Sequence, residues 1–114
     1  MTGTFRQIAQ VTGHDKAILA TAEGNKVVLR GEALDVVRTF HVNAEVEKVA
    51  YATNHLVAAT SENVFVWNLT NSNAPCYEIP CNLNGQVVAG LAINNIASKV
   101  AIGASDLLFV ADLT

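Results

Sequence analysis

Residues 55–69 read HLVAATSENVFVWNL and carry the only tryptophan of the chain, Trp67. A run of small and branched apolar residues stops at a polar joint, Ser61-Glu62-Asn63, and a second apolar run follows at once. Neither run is long enough for an ordinary helix. Both are rich in Val, Leu or aromatic residues and are bounded by turn formers, which predicts strand, tight turn, strand.

The same joint returns on both sides. KAILATAEGNKVVLR, residues 16–30, turns at Glu23-Gly24-Asn25, and SKVAIGASDLLFVADL, residues 98–113, turns at Ser105-Asp106. Laid over one another, the three segments put Val28, Val66 and Val110 in one column, 38 and 44 residues apart. Periods of this size match four-stranded propeller blades. Ala20, Ala22, Ala58, Ala59, Gly103 and Ala104 are then expected in inner strands, where sheets converge and large side chains would separate them. A sandwich with close sheet contact is the alternative.

Extended segments are predicted at 6–11, 16–22, 26–30, 36–42, 46–52, 55–61, 63–69, 76–81, 86–93, 99–105 and 107–113. The composition agrees: 114 residues, 51% hydrophobic and 15% charged, with two prolines, indicate an ordered chain. Such an apolar balance also suggests more contacted surface than a small solitary domain hides.

The joint HLVAATSENVFVWNL, with its small-residue strand, turn and Trp-bearing strand, resembles the end of a WD repeat. The likeness continues in VAGLAINNIASKVAIGASDLLFVADLT, where Asp106 stands at the turn aspartate of that family, and Gly13-His14 looks like its Gly-His pair with the usual intervening strand compressed or absent. Glu62 replaces the turn aspartate in the second joint, and Ala111-Asp112 replaces Trp-Asp in the third. The resemblance implies an all-β, partial WD40-like β-propeller of antiparallel blades over residues 1–114, with blade-like segments 6–42, 46–81 and 86–114. About two and a half to three blades are fewer than the four to eight that close a propeller. Completion by another protein chain or by self-association is therefore expected.

Chemistry is sparse. His14, His41 and His55 stand at no metal-ligand spacing with one another or with Cys76 and Cys81, and the serines lack a nucleophile elbow. No catalytic, cofactor-binding or metal residue is predicted. Cys76 and Cys81, in CYEIPC, read as two independent thiols, with a local disulfide as the alternative. Glu23, Glu62 and Asp106 are expected to serve the turns by hydrogen bonding. Trp67 is expected to fill space between sheets, with an interface anchor as its functional alternative. Asn71 and Asn73 lie in a polar connection, residues 70–75, that reads as an exposed loop: a solvated connection, with a contact site as its functional alternative.

The net charge of −3 arises in residues 58–114, with one Lys against four acids, and gives no electrostatic footprint for nucleic acid. No run of 18 apolar residues suggests a membrane span, and the start lacks an apolar leader, so a cytoplasmic or nuclear setting is expected. The leading functional reading is a noncatalytic interaction scaffold that contributes blades to a larger propeller. The competing reading is an assembled small-ligand protein or enzyme with a composite site in a shared central channel.

Overall fold

The computed structural model describes residues 7–14, 17–52, 54–70, 76–81, 83, 86–94 and 99–112. These form strands β1 (Gln7–His14), β2 (Ala17–Glu23), β3 (Lys26–Arg30), β4 (Val36–His41), β5 (Lys48–Ala52), β6 (His55–Ala59), β7 (Asn63–Asn68), β8 (Tyr77–Pro80), β9 (Gly90–Ile93), β10 (Lys99–Gly103) and β11 (Leu108–Asp112). No helix occurs among the described residues. β9 begins four residues later than the apolar run suggests: Val88 is drawn into the core, and its N–H donates to Glu47 Oε1 at 2.9 Å.

Three antiparallel sheets follow in chain order. The first pairs β1-β2-β3-β4, the second β5-β6-β7-β8, and the third β9-β10-β11. β1 lies beside β5, and β5 beside β9, so successive sheets meet along their first strands. This places the small residues of β2, β6 and β10 one strand away from that inner edge, not on it. Gly13-His14 closes β1, with His14 paired to Ala17, so no strand separates the pair from β2.

The hairpin registers correct the column of valines. Glu23 pairs with Lys26, Thr60 N–H donates to Asn63 O, and Ala104 N–H donates to Leu107 O, each around a two-residue tip. Equivalent positions are therefore Leu29, Val66 and Val110, separated by 37 and 44 residues, while Val28 aligns with Phe65 and Phe109. A slip of one residue changes the face, because side chains alternate along a strand.

With that register the packing repeats. Ala20, Ala22, Val27 and Leu29 of the first sheet meet Leu56, Ala58, Phe65 and Trp67 of the second in one buried cluster. The other face of the second sheet, Val57, Ala59, Val64 and Val66, meets Val100 and Ile102 of the third, with Phe109 and Ala111 packed against them. Burial on both faces explains why β6 and β7 read as continuous apolar runs rather than alternating ones.

Turn tips anchor the links between sheets. Asn25 O accepts from Val42 N at 2.9 Å, and its counterpart Glu62 O accepts from Cys81 N at 2.8 Å. Gly24, at φ 62°, supplies the left-handed residue of the first tip, and its carbonyl holds Val46 N at 2.8 Å.

Candidate interaction surfaces

Trp67 is 8% exposed and sits between the first two sheets. Its ring centroid lies 4.9 Å from that of Phe40 at a 34° tilt, and 6.2 Å from Phe65 in a stacked arrangement. Offset and tilted contacts of this kind suit the ring quadrupoles.

Glu23 occupies the position of Thr60 and Ala104 rather than that of Glu62 and Asp106. Its carboxylate accepts from Thr21 Oγ1 at 2.5 Å and from Arg30 Nη2 at 2.9 Å, while Arg30 Nη1 donates to Leu34 O at 2.8 Å. That last bond secures Leu34 at φ 63°, in the bend between β3 and β4. Burial alone pushes the Glu23 carboxyl up, but the bonds from Thr21 and Arg30, with the charges of Arg30 and Lys26, outweigh it and hold the carboxyl below its usual value.

At the second tip the Glu62 side chain is exposed, and buried Thr60 supplies the side-chain bonds. Its Oγ1 accepts from the N–H groups of Glu62 and Asn63 at 3.2 and 3.1 Å. Threonine two residues ahead of an acidic tip is the local signal that sequence reading passed over. At the third tip Asp106 Oδ1 accepts from Gln86 Nε2 at 2.5 Å, and Ser105 Oγ donates to Gln86 Oε1 at 2.7 Å, tying the turn to the preceding link. Asn71 and Asn73 lie outside the described residues; beside their segment, Cys76 and Tyr77 are exposed.

Cys76 and Cys81 are both free thiols, the second buried. Burial raises both, with the Glu78 charge adding to the effect at Cys76. Among the described residues no three His, Cys, Asp or Glu side chains gather as a metal-ligand set.

The two ends of the sheet stack differ. On the outward side of the first sheet, Thr21 and Val28 are buried and the Glu23–Arg30 ion pair is largely covered. On the outward side of the third sheet, Leu108 is 74% and Val110 54% exposed. Val110 lines a shallow hollow with Ala92 and Ala101, flanked by the exposed Lys99–Asp112 ion pair. Among the described residues β11 pairs only with β10, which leaves its outer edge open.

No family model matches the sequence, and no curated protein matches it significantly. Solved structures do. The β-propeller domain of Cps50 (Swd1) from Myceliophteria thermophila superposes with a TM-score of 0.70 at 14% identity, over 96% of this chain and 38% of that one. Sqt1 from Saccharomyces cerevisiae gives 0.67 at 15% identity, over 96% and 32%. The computationally designed Ika4 protein gives 0.67 at 18% identity, over 99% and 68%. The chain thus spans about a third of Sqt1 and somewhat more of the Swd1 domain. Its fold is that of a partial β-propeller whose sheets do not close, as the WD-repeat resemblance implies.

Proposed function

We propose that this chain is a noncatalytic interaction module that supplies blades to a larger propeller, completed by another protein chain or by further copies. The open face and edge of the third sheet carry this reading. Contiguous exposed apolar surface and unpaired strand backbone are costly in water and favour association. Scaffolding is a role that a rigid stack of antiparallel sheets suits. The segment 70–75 with Asn71 and Asn73, beside exposed Tyr77, serves as a second contact region in this reading, and a cytoplasmic or nuclear setting is proposed with it. Light scattering under reducing conditions, across concentration, tests it. A discrete complex that Val110→Lys dissolves without loss of β circular dichroism supports the module. A monomer whose solubility and stability are indifferent to Val110→Lys overturns it.

A further inference from the structure

The hairpin registers make the two internal sheet contacts comparable position by position. In the first, Val27 and Leu29 receive Phe65 and Trp67; in the second, the equivalent Val64 and Val66 receive Phe109 and Ala111. Each contact sets an aliphatic pair against a sheet with phenylalanine at one fixed position of its third strand. Leu108 and Val110 are the third aliphatic pair in this series, and they are the ones left exposed.

We infer that the outward face of the third sheet receives a blade of a partner chain that presents an aromatic ring at the position of Phe65 and Phe109. This rests on the module reading above and adds the chemistry of its partner. A second copy of this chain is a poor occupant: its first sheet presents Val28 and Arg30 at the positions of Phe65 and Trp67, and that face is already covered. Placing the Glu23–Arg30 pair against Leu108 and Val110 would desolvate two charges without new partners. The outward side of the first sheet is thus covered at its centre, at Thr21 and Val28, where that of the third is open at Leu108 and Val110.

The test repeats residues 46–114 behind Thr114 through a Gly/Ser tether of roughly 20 residues, whose r.m.s. reach is about 25 Å. The repeated second sheet then offers Phe65 to the open face of the first unit. In a Cys76→Ser background, Val110→Cys in the first unit reports access by its rate of thiol labelling. Labelling is expected to slow about tenfold relative to the unextended chain, as for a face closed about nine-tenths of the time. Phe65→Glu in the repeat should restore the original rate, and Phe65→Tyr should not.

Equal slowing with Phe65→Glu overturns the aromatic requirement and leaves the module reading standing. Unslowed labelling in a chain whose β circular dichroism grows with the added strands means that the face accepts no blade, and both fall. A protected thiol in an unextended dimer makes a second copy the occupant and overturns this inference alone.

Discussion

The rings of Trp67 and Phe40 meet at 4.9 Å across the contact between the first and second sheets, joining β7 to the outermost strand of its neighbour. Trp67→Ala should therefore lower unfolding free energy by roughly 3 to 5 kcal/mol, measured in urea. Trp67→Phe should cost clearly less. A loss below about 1 kcal/mol for the alanine variant, with partner binding abolished, would move Trp67 from the core to a recognition surface.

Glu23 makes stability depend on acid. Its folded carboxyl titrates below 4.5, its ordinary value, so its contribution is complete above that pH and is lost as pH falls through the lower folded value. The urea midpoint should drop on acidification from pH 5 to pH 3, and Glu23→Gln should flatten that part of the profile. An unchanged slope would show that other carboxylates carry it.

Thr60→Val keeps the shape of the side chain but removes the acceptor for two N–H groups at the second tip. A loss of about 1 to 3 kcal/mol is expected, because the site is buried and water cannot fully replace the hydroxyl. Glu62→Ala, exposed at the same tip, should stay within about 0.5 kcal/mol.

The thiols should separate by access. One equivalent, Cys76, is expected to react with a thiol reagent in the native protein, and Cys81 only on unfolding. Two fast equivalents would place Cys81 outside the core.

Deleting residues 70–75 should weaken partner binding more than it lowers the urea midpoint, since this connection leads into the edge strand β8. Unchanged affinity would remove Asn71 and Asn73 from the contact surface.

Local chemistry was enough to locate the strands. Runs of branched and aromatic residues between Gly24-Asn25, Ser61-Glu62 and Ser105-Asp106 mark the three central hairpins, and the turn preferences are intrinsic to those residues. The recurrence of that joint pointed to propeller blades with a sandwich still open, and the WD-repeat resemblance implied the partial propeller that the structure shows. Register did not follow: Val28 and Leu29 are both apolar, so composition accepts either beside Val66, and only the pairing of Glu23 with Lys26 selects Leu29. Nor did the Glu23–Arg30 pair, since the two residues become neighbours only when β2 and β3 fold back. Tertiary structure alone decided which apolar faces are covered, because Val66 and Val110 are the same residue at equivalent positions, and only the sheet beyond Val66 removes its side chain from water.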